Sequence, residues 1–218
     1  MAELFSADER AATDRLLTTT RTVRRRLDLD RPVPRDVIAE CLEIALHAPN
    51  GGNAQRWRWV VVDDPDVRVP LAELYREALV RRMGASTGGY EDRMTRSIMY
   101  LAENLQRVPV LVVPCTLDRF SAKITLTGAS ALFGSVMPAA WSLMLALHSR
   151  GLGSAWTTVH LDHAEEAAAL LGIPARVTQL GLMAVAYTTG GPFRPAPRDG
   201  AANVTYWNRW VDATAGTS

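Results

Sequence analysis

The sequence predicts one domain in which helices and strands alternate along the chain, and three observations carry that reading. Segments with a helical apolar period and recognisable caps recur; short runs of β-branched residues lie between them; and no internal repeat or composition break divides the 218 residues. A hydrophobic share of 48% against 22% charged suits a folded chain with a sizeable core.

The elements follow in order. "SADERAATDRLLTT" opens on a Ser N-cap with acids in its first turn, which predicts a helix ending near a cluster of arginines. "PRDVIAECLEIALHAP" predicts a second helix, with Pro34 near its start and Val37, Ile38, Cys41, Leu42, Ala45 and Leu46 as its apolar stripe. "WRWVVVDD" reads as a strand and "PDVRVPLAELYREALVRRM" as a helix, which "GASTGGYED" then breaks with glycines. That break is either a segment that closes over a site or a plain surface loop. "SIMYLAENLQR" is helical, and the almost wholly apolar "VPVLVVPCTL" predicts a strand buried on both faces. From Gly128 to Arg150 the longest helix is apolar nearly all round despite Pro138, so it belongs inside the protein or between subunits. After Gly151 come a strand "SAWTTV", a helix "DHAEEAAALLG", a strand "TQLGLMAVAY", and a Gly/Pro-rich and then aromatic tail.

Composition narrows the function classes. Net charge is +1, which argues against a surface built for nucleic acid, although Arg21, Arg24, Arg25, Arg26, Arg31 and Arg35 crowd one region. Lys123 is the only lysine, so any single arginine is a weak signal. Cys41 and Cys115 fall in apolar periodic segments and read as buried free thiols, which fits a reducing compartment. The N-terminus carries charges where a signal peptide needs an apolar core, and the longest apolar run, "VMPAAWSLMLALH", is short for a membrane span. The expectation is a cytoplasmic protein with no membrane or nucleic-acid partner.

Several motifs lead nowhere. "HLDHAEE" holds His160, Asp162, His163, Glu165 and Glu166, but Asp162 followed by Glu165 reads as a capping box opening a helix, and no second ligand cluster accompanies it. "GLGSAW" is only part of a dinucleotide fingerprint and follows a helix where that motif follows a strand. No Walker loop or Gly-x-Ser-x-Gly elbow is present, and His47 reads as a packing residue. No metal site is expected.

One stretch asks for more. "APNGGNAQRW" puts two Asn, two Gly and a Gln between a helix and a strand; Asn and Gly suit a turn, but Gln55, Arg56 and Trp57 do not. Taken with "RTVRRRLDLDRPVPRD", "RGLGSAWTT" and "GPFRPAPR", in that order and spacing, this loop makes most of the chain resemble the flavin-dependent nitroreductase family.

The resemblance implies an α+β fold: a mixed central sheet flanked by helices, with an extended C-terminal arm over about residues 192–218. It implies flavin mononucleotide (FMN) as cofactor, NADH or NADPH as electron donor, and a small-molecule acceptor such as a nitroaromatic or quinone. A dianionic phosphate asks for cationic forks, and the edge of the flavin ring for amide-rich polar groups. By resemblance Arg21, with Thr22 beside it, and one of Arg24 or Arg25 grip the phosphate, and Arg198 closes from the C-terminal side. Aligning "RTVR" without gaps selects Arg24, while matching Leu27 to the family's usual Phe selects Arg25. Pro49, Asn50, Asn53 and Gln55 would lie along the ring and ribityl chain, with the backbone of Thr157 and Thr158 at the reactive edge. The chemistry is the flavin's, so no catalytic side chain is implied. Asn50 in place of the usual Ser and Arg56 in place of the usual Pro are departures. A homodimer is implied, with Gly128–Arg150 as interface helix and both flavin sites between subunits. "NVTYWNRW" would wrap the partner or pack on its own subunit. Other chemistry within the family stays open (reductive dehalogenation, substrate oxidation, flavin cleavage), as does a non-enzymatic flavin-binding role.

Overall fold

A computed structural model describes residues 4–84, 93–121 and 123–210. Among the described residues six helices, α1 (Ala7–Thr19), α2 (Arg35–Ala45), α3 (Pro65–Gly84), α4 (Arg93–Asn104), α5 (Leu126–Ser149) and α6 (Ala164–Leu171), surround five strands, β1 (Trp57–Val62), β2 (Val110–Thr116), β3 (Leu152–Thr157), β4 (Thr178–Gln179) and β5 (Leu182–Tyr187). The glycine-rich break predicted between α3 and α4 lies, from residue 85 on, outside the described residues.

The strands form one sheet in the order β1-β2-β5-β3, each neighbouring pair antiparallel. Its mixed character comes from outside the named strands, where Thr22 bridges Ser154 in parallel. All of β2 is buried, as its apolar run predicts, because helices cover both faces. Side chains alternate along a strand, so Leu111, Val113 and Cys115 pack with Leu71, Tyr75, Leu101 and Leu105 of the α3/α4 layer. Val110 and Val112 face the other way, onto Ile38, Cys41, Leu143 and Leu147 of α2 and α5. Both cysteines are buried free thiols, and burial pushes the Cys115 thiol up to about 12.

Local chemistry sets most boundaries. Ser6 caps α1 in a full capping box with Glu9. Thr125 caps α5, whose Leu132, Val136, Ala139, Ala140, Leu143 and Leu147 are buried while Phe133, Met137 and Trp141 are exposed. At 24 residues α5 is long and apolar enough to cross a membrane by length and composition, more than its apolar run suggests, yet one side is packed in the core.

Two expectations need correcting. "TQLGLMAVAY" is not one strand: β4 pairs with β2 one residue out of the β5 register, so Leu180–Gly181 holds an extra residue, as in a bulge. The Trp156 indole fills the space there, since a Cβ on Gly181 would lie 2.6 Å from it. Asp162 caps no helix either; it sits in a 3₁₀ turn, Val159–His163, and is paired with Arg82 of α3. The helix starts after His163 with no side-chain cap, because the carboxylate has a stronger partner than a backbone N–H.

Candidate functional site

The basic segment after α1 is tied down at two points. Val23 N–H donates to Ser154 O at 2.8 Å, and Asp28 N–H to Tyr187 O at 2.8 Å, while the Val23 and Leu27 side chains are buried. The segment presses onto Gly153, where a Cβ would come within 2.9 Å of Val23 Cβ. Between the anchors residues 24–26 turn, and the turn decides where each guanidinium goes.

Arg26 is spent on structure: it donates to the carbonyls of Thr189 (2.7 Å) and Gly191 and lies over the Phe193 ring, 4.0 Å from its centroid. Arg24 turns inward into a cavity of 270 Å³ lined by Tyr75, Thr95, Ile98, Thr157 and Val159. Burial there pulls its guanidinium below the ordinary arginine value, and the acceptor it meets is the Met94 sulfur at 3.7 Å. Arg25 lies 5.9 Å from the Tyr100 ring centroid. None of Arg21, Arg24 and Arg25 is paired with a carboxylate among the described residues. Beside them β3 ends at Thr157. The exposed Thr158 that follows accepts the Leu161 N–H at 3.0 Å, while its own N–H is given no acceptor among the described residues. The Arg24 guanidinium, in one cavity with Thr157 and next in the chain to the Thr158 N–H, is suited to an anion or a polar ring edge.

The polar loop is built on the opposite edge of the sheet. Asn50 Oδ1 accepts the Gln55 N–H at 2.9 Å, and Gly51 N–H donates to Ser135 Oγ of α5 at 3.0 Å. Gly52, Asn53 and Gln55 have φ of 60°, 50° and 48°, a left-handed conformation that asparagine tolerates better than glutamine does. Pro49 is exposed, and a cavity of 460 Å³ opens between this loop and α5, lined by Asn50, Gln55, Arg56, Asp118 and Ser135. Arg56, the departure noted above, pairs with Asp118 at 2.6 Å and so pins the loop to the segment after β2.

The two groups share one end of the sheet, since Trp57 pairs with Thr116 and Thr157 with Leu182. They do not meet: β2 and β5 lie between β1 and β3, a separation of roughly 14 Å at the usual strand spacing. Arg198 is not brought in either; it is exposed and donates to its neighbour's carbonyl, Pro197 O, at 3.0 Å. Within one copy of the chain the two groups of candidate residues therefore stay apart.

Sequence reasoning missed Tyr75 and Ser135. Tyr75 falls in the apolar stripe of α3 and reads as core, and Ser135 sits inside an apolar helix; only the fold shows that Tyr75 lines the Arg24 cavity and that the Ser135 hydroxyl accepts from the polar loop. His160 is buried, and His163 lies between Arg81 (3.2 Å) and Glu166 (3.3 Å). Among the described residues no group of three His, Cys, Asp or Glu is placed to hold a metal.

A family model described as the nitroreductase family matches residues 17–187. Over 188 residues the chain is 28% identical to iodotyrosine deiodinase 1 of Rattus norvegicus; the match covers 83% of this chain but 63% of that one, so the chain spans less than two thirds of that relative. It is 30% identical over 169 residues to an NADH dehydrogenase of Thermus thermophilus, covering 72% of this chain and 78% of the relative. It is 31% identical over 176 residues to the 5,6-dimethylbenzimidazole synthase of Rhodospirillum rubrum, covering 79% and 80%. Among solved structures, the FMN-dependent nitroreductase NfnB from Mycobacterium smegmatis, in complex with NADPH, superposes with a TM-score of 0.69 at 22% identity, covering 92% of this chain and 99% of that one. Oxidised iodotyrosine deiodinase bound to FMN and 3-iodo-L-tyrosine gives 0.66 at 22% identity, covering 89% and 98%. At that identity the likeness is one of fold.

Proposed function

Because the chain belongs to the nitroreductase family, we propose that it is an FMN-dependent oxidoreductase that takes electrons from NADH or NADPH and passes them to a nitroaromatic or quinone-like acceptor. The observation that carries the reading is the inward-turned Arg24, a half-buried guanidinium with no carboxylate partner among the described residues, flanked by Arg21 and Arg25. A cation kept from water without an acid beside it costs free energy unless an anion arrives.

The donor set fits FMN. Arg21 and Arg25, with Arg198 from the arm, would hold the phosphate. Arg24, which shares its cavity with Thr157, would meet the part of the cofactor that lies at the end of β3. The Thr158 N–H would donate at the ring's reactive edge. Pro49, Asn50, Asn53 and Gln55 would come from a second copy, because their own copy holds them on the far edge of the sheet. The exposed stripe of Phe133, Met137 and Trp141 on α5 suits that contact, and Trp207 and Trp210 of the arm, 84% and 72% exposed, would cover the partner. We accordingly take residues 1–218 as one domain whose arm begins at about residue 192. The electron transfer is the cofactor's own chemistry, so the protein's part is to bind, orient and exclude water.

Two relatives favour a second reading, in which the same site serves other flavin chemistry: the chain is 28% identical to a deiodinase and 31% identical to a dimethylbenzimidazole synthase. Three measurements decide. Purified protein should be yellow and release FMN on denaturation; FAD as the main flavin, or no binding of added FMN, overturns the proposal. NAD(P)H oxidation that accelerates with a nitroaromatic and gives parallel double-reciprocal lines supports the reductase. Oxidation that ignores nitroaromatics and quinones, with flavin loss after anaerobic reduction and admission of air, favours the second reading.

A further inference from the structure

We propose that Ser135 of α5 is a positioning residue of the cofactor site, its hydroxyl setting the place and shape of the polar loop, residues 50–55, that would lie along the flavin. The inference rests on the flavin reading above. The loop needs such a hold. Residues 51–56 are exposed, and Gly52, Asn53 and Gln55 carry positive φ, a conformation that a non-glycine residue keeps only where its surroundings impose it. Within the loop, Asn50 Oδ1 accepts the Gln55 N–H at 2.9 Å and Asn50 O the Asn53 N–H at 3.2 Å. These bonds close the turn on itself without placing it on the body of the protein.

The two ends of the loop are placed separately. At the strand end Arg56 O accepts the Leu117 N–H at 2.9 Å, and the Arg56 guanidinium pairs at 2.6 Å with Asp118, whose other oxygen accepts the Thr116 hydroxyl at 3.1 Å. At the helix end the Gly51 N–H donates to Ser135 Oγ at 3.0 Å. A hydroxyl has one hydrogen and two lone pairs. Ser135 gives its hydrogen to Ala131 O, one turn back in α5, at 2.7 Å, so toward the loop the oxygen can only accept. The approach is close: a Cβ on Gly51 would lie 3.2 Å from that oxygen. Asn50, Gln55 and Ser135 together line the 460 Å³ cavity between loop and helix, so a shift of the loop changes the space beside its amides. Alanine would serve the helix at least as well as serine does, which leaves the loop as what the hydroxyl acts on. Gly51 is exposed, so without the hydroxyl water takes over its N–H and the fold loses little. What is lost is the pre-set loop, which must then be ordered when the cofactor binds, at a cost in affinity.

The test uses apo-protein and FMN, with binding read by quenching of flavin fluorescence and folding by thermal melting. Ser135→Ala should raise the FMN dissociation constant by about three- to tenfold, the worth of one hydrogen bond, with little change in the apo melting temperature. Ser135→Thr keeps the oxygen and should restore the parent's affinity. Ser149→Ala removes the same kind of bond to the helix backbone, 2.8 Å to Ala146 O, at the far end of α5, and should leave affinity unchanged. Gly51→Ala crowds the Ser135 oxygen, so it should weaken binding alone but add little to Ser135→Ala. A Ser135→Ala protein that binds FMN as the parent does, a threonine variant no better than the alanine one, an equal loss from Ser149→Ala, or losses at 51 and 135 that simply add would overturn the positioning role alone. Failure of the parent to bind FMN would overturn the flavin reading together with it.

Discussion

Arg24→Met separates binding from folding by the sign of its effects. The guanidinium is half buried and meets a thioether in place of a carboxylate, so in the apo-protein it carries desolvation cost without a matching gain. An unpaired buried polar group costs about 1–3 kcal/mol, and exposure of half the group to water cuts that to about 0.5–1.5 kcal/mol. Methionine fills similar space without the charge, so the apo-protein should melt at the same temperature or up to about 5 °C higher. The holo-protein should behave in the opposite way. A charge-assisted hydrogen bond to the cofactor is worth about 1.5–3 kcal/mol, so the FMN dissociation constant should rise by about 10- to 150-fold. Thermal melting of the apo form and fluorescence titration with FMN measure the two effects on one sample. A variant that melts several degrees lower and binds FMN like the parent would make Arg24 a structural residue and refute the reasoning.

Arg26→Ala should leave FMN affinity within about twofold while lowering stability by about 1–2 kcal/mol in a urea melt, because its guanidinium holds the Thr189 and Gly191 carbonyls and covers Phe193. Burial pushes His160 down to about 4, with Gln179 opposing, whereas an unfolded histidine titrates near 6.5. The unfolded state therefore binds the proton first, and stability should fall as pH drops from about 6.5 toward 4, by roughly 3 kcal/mol in all. His160→Gln should flatten that slope in pH-resolved melts. Replacing Cys41 and Cys115 together with Ser should keep turnover per flavin-loaded subunit and reduce only stability, since both thiols are buried; total loss of activity with normal flavin binding would bring a thiol into the mechanism.

What could be read from the sequence was what local chemistry decides. Ser6 and Glu9 close a capping box within one turn, and the continuous apolar run of β2 demands cover on both faces. What could not be read was decided by partners distant in the chain. Asp162 has the spacing of a cap, but Arg82, 80 residues away, takes its carboxylate. The break at Leu180–Gly181 reflects the Trp156 indole packed on it, which no window of the strand itself reveals. Arg24 and Arg25 are equivalent on paper; the anchors at Val23 and Asp28 force the turn that sends Arg24 inward. The polar loop was legible as a loop, but its support by Ser135, and its distance from the arginines, belong to the sheet order.

In the proposed function one FMN site is completed by two copies of the chain. Sedimentation velocity of the purified holo-protein, recorded in the visible absorption band of the flavin, tests it most directly. The flavin signal should travel only with a species of twice the chain mass and be lost to the free-flavin boundary when dilution splits that species. Flavin sedimenting in full occupancy with a single chain would contradict it.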